Sequence, residues 1–345
     1  MERLVIDGFG KTVSAEGTNI VIREYSNGVR KTLYYVPVES LRQVIVTGKG
    51  SLTIDAINLL ALNQVDVVII SSRGEVTAKV TPIELKTVKT RREQYIAYND
   101  NRSGYLAKRF IEGKAKNQHA FIGTLAKTRK DTNPLISEKL IEAREKIKFL
   151  IEQISKFEDA PIEKIRNQLM GTEGMISDIY WKAVKEIVPP EFGFMERSGR
   201  NAMDGVNAML NYGYGILEGE THRAIHLAGL DPYAGYLHAD RPGSNTLVFD
   251  LMEEFRQQIV DKTVFSQVTK GVVRVSDFSM KEGTCRLSND ARRNLLREVL
   301  GKLEEFTTRG DEKIKWCDLI TSQARNVAKY LRGEISFYEP YYLRW

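Results

Sequence analysis

KTVKTRREQYIAYNDNRSGYLAKRFIEGKAKNQHAFIGTLAKTRK, residues 86–130, is where the chain changes character. Before it, short β-branched runs alternate with Gly and Asn, which is a strand pattern. From about residue 86, apolar residues recur every three or four positions between helix start and stop signals. The charge changes with the period: this segment holds twelve Lys/Arg against three Asp/Glu, whereas residues 1–85 balance nine against nine. The expected fold class is α+β, with a strand-rich domain over residues 1–85 followed by a larger all-α-helical domain over 86–345.

Upstream, RLVIDG, TNIVIREY, KTLYYVPV and QVIVTG read as strands, with SNG at 26–28 as a turn. SLTIDAINLLALNQ fits one helix, with Ser51 as its N-cap, and feeds the buried-strand run VDVVIISS. Downstream, Asn133-Pro134 starts one helix. EDAPIEKI starts another, with Asp159 near the cap and Pro161 in the first turn, and Pro189-Pro190 ends it. GRNAMDGVNAMLNYGYGIL opens a third, and SNDARRNLLREVLGKLEEF a late one capped by Ser288 or Asn289. No repeat of 20–50 residues interrupts this series.

Composition narrows the function class. With 345 residues, 42% hydrophobic and 28% charged, the chain has the composition of a soluble globular protein of two domains. No run approaches the roughly 18–20 apolar residues of a membrane span, and MERLVIDGFG lacks the layout of a signal peptide. Cys285 and Cys317 are too few for a disulfide framework, so a reducing, cytoplasmic setting is expected. The basic segment is accounted for by a solvated helix face or by a track for phosphates, whose neutralisation releases counterions. Arg91, Arg92, Lys108 and Arg109 are the candidate phosphate contacts. Tyr95, Tyr98 and Tyr105 lie among them, placed to stack on bases or to pack in the core.

Carboxylates stand where apolar residues are expected. In IEKIRNQLMGTEGMISDIYWKAVKEI, residues 162–187, Ile165, Leu169, Ile176, Tyr180 and Val184 follow one helical face, and Glu173 falls on that face. A lone buried carboxylate neutralises or finds a partner. Gly171 and Gly174 flank it, removing side chains where a backbone or ligand could approach; a helical phase shifted by one position would instead expose Glu173. His238, one of four histidines, follows the turn-forming AGLDPYAGYL. Asp250 and Glu253 come next, three apart on a helix starting near 246–250, which Leu247, Val248, Leu251, Met252 and Phe255 would seat in the core. Asp250 also fits as a charge favouring that helix's dipole. An imidazole with several carboxylates makes a hard, mixed O/N donor set, which suits Mg²⁺ or Mn²⁺ better than zinc.

Other templates fail. HRAIH places His222 and His226 four apart, but Arg223 stands where a zincin needs glutamate. There is no GxSxG elbow and no Walker A sequence; GFGKT at 8–12 has the wrong glycine spacing, and GYGIL lacks the preceding strand of a dinucleotide fold.

Four stretches in order, GTEGMISDIYW, NAMLNYGYGIL, AGLDPYAGYLHADRPGSNTLVFDLMEEFR and ARNVAKYLRGEISFYEPYYLRW, resemble the CRISPR-associated integrase/endonuclease of the adaptation (spacer-acquisition) module, the Cas-one family. RREQYIAYND…LAKRFIEGKAKNQ resembles that family's entry into its helical domain, so the likeness spans essentially the whole chain. It implies a β domain that dimerises, an α-helical catalytic domain, a homodimer, and a small partner subunit. It also implies an enzyme that inserts short DNA fragments as spacers into a CRISPR array by attack of a 3′-hydroxyl on a phosphodiester. The family's metal ligands fall on Glu173, His238 and Glu253, and an additional acidic position falls on Asp250, expected behind the ligands or as a proton acceptor. Some relatives carry aspartate where this chain has Glu253. The cofactor expected is Mg²⁺ or Mn²⁺, and the partners are spacer-precursor DNA and the array, with no membrane. Two rival readings are a metal-dependent nuclease acting on branched DNA in repair, with the same site, and a non-enzymatic nucleic-acid scaffold with a structural acidic cluster.

Overall fold

The computed structural model describes residues 2–26, 29–71, 73–82, 88–199 and 201–343. The chain divides into two compact units, Met1–Leu85 and Lys86–Trp345.

The first unit is built on two four-stranded sheets. One has the order β1-β5-β7-β8, formed by β1 (Glu2–Ile6), β5 (Leu41–Val46), β7 (Asp66–Ile70) and β8 (Val76–Val80). β1, β5 and β7 run parallel, and β8 is antiparallel to β7. The other has the order β4-β3-β2-β6, formed by β4 (Val29–Pro37), β3 (Asn19–Ser26), β2 (Phe9–Glu16) and β6 (Lys49–Leu52). Val13, Ile20 and Ile22 of the second sheet share a core with Ile6, Val44 and Val67 of the first and with Ala56 and Leu60 of helix α1 (Ile54–Leu62). The cap of α1 differs from expectation. Thr53, not Ser51, accepts from Ala56 N, at 3.3 Å, because Ser51 belongs to β6. β2, β6 and β8 are additional to the strands read from sequence, and the expected turn at 26–28 falls partly outside the described residues. The edge strand β4 leaves Val29, Tyr34 and Tyr35 exposed.

The second unit is helical: α2 (Val88–Ala97), α3 (Asn101–Arg129), α4 (Pro134–Ser155), α5 (Ile162–Lys185), α6 (Gly205–Leu227), α7 (Thr246–Met252), a π-helical turn (Arg256–Asp261), α8 (Lys262–Thr269), α9 (Asn289–Glu304) and α10 (Trp316–Leu331). It is not all-α. The hairpins β9–β10 (Phe278–Lys281, Thr284–Leu287) and β11–β12 (Phe306–Arg309, Glu312–Lys315) flank α9. Each strand has four residues, too short for a period-2 signal beside strong helices. Side-chain caps fix the main starts: Asp100 for α3, Asn133 for α4, Asp204 for α6 and Ser288 for α9. Asp159 does not cap α5; Pro161 holds that position without a side-chain bond, and Asp159 pairs with Lys108.

α3 has 29 residues, about 44 Å of helix, and packs against both α4 and α5. At its start it approaches the entry to α5 through Gly104, where a Cβ would lie 2.0 Å from Ala160 O and 2.7 Å from Ile165 Cδ1. Further along, the buried Asn117 amide donates to Glu254 O at 2.9 Å and Tyr341 O at 3.0 Å, and accepts from Leu343 N at 3.0 Å. One side chain thus ties α3 to the residues after α7 and to the C-terminal tail. Inside the π-helical turn, the buried Asp261 accepts from Tyr180 Oη at 2.7 Å and Tyr214 Oη at 2.5 Å. Burial pushes its pKa up to about 6, against the opposing pull of these donors and of Arg256 and Arg197.

Gly104→Ala should destabilise the protein by about 1–3 kcal/mol through overpacking, whereas Gly301→Ala, with open space around it in α9, should raise stability by roughly 0.5–1 kcal/mol; urea denaturation checks both. Because Asp261 holds its proton to higher pH when folded than when unfolded, its contribution is full below about pH 4 and lost as pH rises through about 6. Asp261→Asn should therefore show a flatter fall of stability across that window, read from denaturation midpoints measured between pH 4 and 7.

Candidate active site

The site lies in the helical unit and starts from Asp250. This carboxylate, on α7, is fully buried and accepts from three successive backbone N–H groups: Tyr236 at 2.6 Å, Leu237 at 3.0 Å and His238 at 3.1 Å. It therefore organises the loop that carries His238. The same Asp250 lies 2.6 Å from His238 Nδ1. With Nδ1 so engaged, Nε2 is the ring nitrogen left to face a ligand. Burial opposes protonation of His238, but the hydrogen bond to Asp250 and its charge outweigh this and raise the pKa.

The preceding loop is held from two sides. The Gln94 amide of α2 donates to Asp231 O at 2.9 Å and Ala234 O at 2.8 Å, and accepts from Asp231 N at 2.8 Å. Gly235 runs so close to α7 that a Cβ would fall 2.6 Å from the Thr246 carbonyl carbon. The glycine in AGYLH is therefore a close-packing requirement.

Glu253 follows α7 directly, and the five named apolar residues of that segment, Leu247 to Phe255, are all buried as the pattern required. Glu173 lies on α5 beside the buried Leu169, Ile176 and Tyr180, itself only 17% exposed. The two carboxylates meet at one cation. Lys114 Nζ, from α3, is 2.5 Å from Glu173 Oε1 and 2.8 Å from Glu253 Oε2. Ser177 Oγ donates to Glu173 Oε1 at 2.7 Å and fixes its rotamer. Arg256 Nε lies 3.3 Å from Glu253 Oε1, and its guanidinium stacks 4.7 Å above the Tyr214 ring. Burial works against ionised Glu253, yet Arg256, Lys114 and His238 together bring its pKa down to about 2. Burial likewise opposes the Lys114 charge, and Glu253 and Glu173 overcome it.

Glu253 also interacts electrostatically with His238, so the Lys114-bridged pair Glu173–Glu253 and the His238–Asp250 pair meet at Glu253. Among the described residues, no three His, Cys, Asp or Glu side chains are closed around a common point in the manner of a metal centre. The donor set nevertheless fits a hard cation. Two carboxylates already face a single positive centre, an imidazole is tautomer-fixed beside them, and the buried Glu253 Oε2 makes no well-aligned hydrogen bond even to the adjacent ammonium. No neighbouring backbone approaches Gly171 or Gly174; a Cβ at either would meet nothing within 4 Å.

Lys114, Arg256 and Ser177 were not singled out by sequence reasoning. Lys114 reads as one more basic residue of the 86–130 segment, since its partners lie 59 and 139 positions away. The adjacent Glu254 has a different environment. Wholly buried, it accepts from Tyr338 Oη at 2.5 Å, Gln323 Nε2 at 3.0 Å and Tyr341 N at 2.8 Å, and so anchors the tail.

The expected phosphate contacts separate. Lys108 is corrected: it is buried, donates to Phe157 O at 2.9 Å and pairs with Asp159, so its charge is spent joining α3 to the α4–α5 connection. Arg109 is part-buried, 2.6 Å from Glu112 and 5.0 Å above the Tyr105 ring. Arg92 is exposed on α2 and Arg91 partly so. Tyr105 belongs to the core, donating to Tyr338 O at 3.1 Å. Tyr95 donates to Asp231 at 2.6 Å, and Tyr98 pairs with Glu163.

Comparison with known proteins follows the same residues. Residues 4–300 match the family model described as CRISPR associated protein Cas1. A "CRISPR-associated endonuclease Cas1 1" of Archaeoglobus fulgidus is 42% identical over 99% of this chain and 100% of its own length. A "CRISPR-associated endonuclease Cas1 3" of Thermus thermophilus is 31% identical over 96% and 94%. Among solved structures, a casposase bound to integration product superposes with a TM-score of 0.82 at 28% identity, covering 98% of this chain and 93% of that one. A Cas1 protein from Thermotoga maritima shares the fold over the full length of both, with a TM-score of 0.76 at 19% identity. Family match, near full-length relatives and fold converge, and this chain belongs to the Cas1 family of CRISPR-associated proteins, as an enzyme of the endonuclease/integrase class.

Proposed function

We propose that this enzyme joins short DNA fragments to a CRISPR array, the fragment's 3′-hydroxyl attacking an array phosphodiester with a divalent ion, Mg²⁺ or Mn²⁺, held by Glu173, His238 and Glu253. The observation that carries this reading is the convergence of the Glu173 and Glu253 carboxylates on one cationic point beside an imidazole oriented by Asp250. The solved casposase with its integration product, of related sequence and fold, supports DNA integration as the reaction class. The name endonuclease borne by the relatives agrees with hydrolysis at the same groups, water replacing the hydroxyl.

A bound divalent ion supplies a lowered hydroxyl pKa, a polarised phosphoryl oxygen and a stabilised leaving oxygen. The protein's part is placement. Asp250 presents His238 through Nδ1 and keeps the loop in register. Ser177 holds Glu173 in one rotamer. Arg256 keeps Glu253 ionised and adds positive charge where a phosphodiester must enter. No side chain needs to become covalently attached to DNA.

Phosphate binding away from the reacting atoms is placed on Arg91 and Arg92 of α2. The homodimer contact is placed on the first unit, where β4 leaves Val29, Tyr34 and Tyr35 exposed along a sheet edge. Assembly with the small partner subunit of the adaptation complex belongs to the same reading; a chain of this fold occurs in the solved Cas6-RT-Cas1–Cas2 complex.

Glu173→Gln should lower strand transfer roughly 100-fold or more, the size of a lost charge ligand, with duplex binding changed less than threefold. Supercoiled array plasmid, short duplexes and Mn²⁺ in a gel assay measure the first and a mobility shift the second. Undiminished transfer removes Glu173 from the mechanism. Replacing Arg91 and Arg92 together by Ala should weaken binding equally on unrelated sequences and flatten the slope of log affinity against log salt by roughly two units. An unchanged slope assigns both arginines to the solvated helix face.

A further inference from the structure

We infer that Lys114 is the resident counter-ion of the metal site: its ammonium holds the cation position between Glu173 and Glu253 in the metal-free protein, and a divalent ion binds by displacing it. The inference rests on the metal reading given above and adds a competitor to it.

Three observations lead there. The Lys114 ammonium touches both carboxylates, at 2.5 and 2.8 Å, and its side chain is only 14% exposed, so it is built into the site. With Arg256 beside Glu253, the two acids already face two cations, and the group is neutral without any ion. A dication entering the same space makes it strongly positive unless the ammonium leaves. The fit of Lys114 is also imperfect: Glu253 Oε2 is buried and within ion-pair distance, yet it lacks a well-aligned hydrogen bond. A flexible four-carbon stem lets a lysine hold such a place and give it up, which a structural arginine fork would not.

A counter-ion and a positioning residue differ in what their removal does. If Lys114 only positioned the glutamates, its loss would weaken metal binding. As a competitor, its loss strengthens it, while leaving the metal-free protein with two facing carboxylates and Arg256 beside one of them.

The experiment is titration of Mn²⁺ alone into the full-length protein at pH 8, by isothermal calorimetry, with thermal melts of the same samples. Lys114→Met, which keeps the apolar stem, should bind Mn²⁺ at least fivefold more tightly than the wild type. It should also melt several degrees lower without metal and recover most of that loss when saturated. Lys114→Gln serves in the same way should the Met variant not fold, which circular dichroism decides. Equal or weaker Mn²⁺ binding by the folded variants overturns the displacement. If neither the wild type nor the variants bind Mn²⁺, or if Glu173→Gln binds it as the wild type does, the metal reading itself fails, and this inference with it.

Discussion

Two carboxylates facing each other in the interior of a helical unit stay ionised together only with positive charge between them. An uncompensated buried charge costs several kcal/mol, a large fraction of a typical domain's stability. Lys114 supplies that charge from α3, Glu173 brings one acid from α5, and Glu253 brings the other from the end of α7. Three elements far apart in sequence are thereby tied at a single ammonium. α3 is suited to this because it runs through the unit with most of its surface buried. Its Gly104 end sets the approach of α5, and its Asn117 region fixes the residues after Glu253. The charged cluster and the packing of the long helix are the same structural problem solved once.

The neighbouring polar groups follow a consistent logic. Asp250 is buried with no Lys or Arg at its oxygens, yet it is satisfied by three backbone N–H donors and the His238 ring. A carboxylate of that kind stores no unspent charge; it shapes a loop. Asp261 is similarly consumed by two tyrosine hydroxyls. Glu253 and Glu173 differ in being paired with cationic side chains, Lys114 for both and Arg256 for Glu253. The π-helical turn immediately downstream, buried from Gln257 to Asp261, is a widened helical segment of the kind that recurs at functional sites.

Much of this was legible in the amino-acid sequence, and the reasons are local ones. The change of period near residue 86, the caps at Asn133 and Ser288, and the apolar seating of residues 247–255 are short-range signals. Glu173 stood out because a charge interrupted an otherwise apolar face. What could not be read depends on long-range partners. Lys108 and Lys114 sit six residues apart in the same basic segment, and nothing nearby distinguishes them from solvated lysines. One is claimed by Asp159 and the other by two glutamates, and only the fold brings these partners in. The same pairing accounts for Asp159, whose carboxylate goes to Lys108 while Pro161 takes the cap position of α5. β6, with the sequence KGSL, carries no alternation because its identity comes from pairing with β2.

Glu253 and Glu254 show how position alone fails to assign a role. They are consecutive, both buried, and chemically identical, yet they point to opposite tasks. Glu254 accepts from neutral donors, Tyr338, Gln323 and the Tyr341 amide, and burial drives its pKa up to about 7 despite them and the pull of Arg309. Glu253 is just as buried but faces Arg256, Lys114 and His238, and its pKa falls to about 2. The first therefore shares a proton readily with its surroundings and serves as an anchor for the tail EPYYL. The second remains an anion across the physiological range, with one oxygen lacking a well-aligned donor. Glu253 is thus an anion kept ionised inside the unit by the cations around it. The tail contributes to this indirectly: by holding Glu254 inward, it obliges the preceding residue to turn toward α3 and α5.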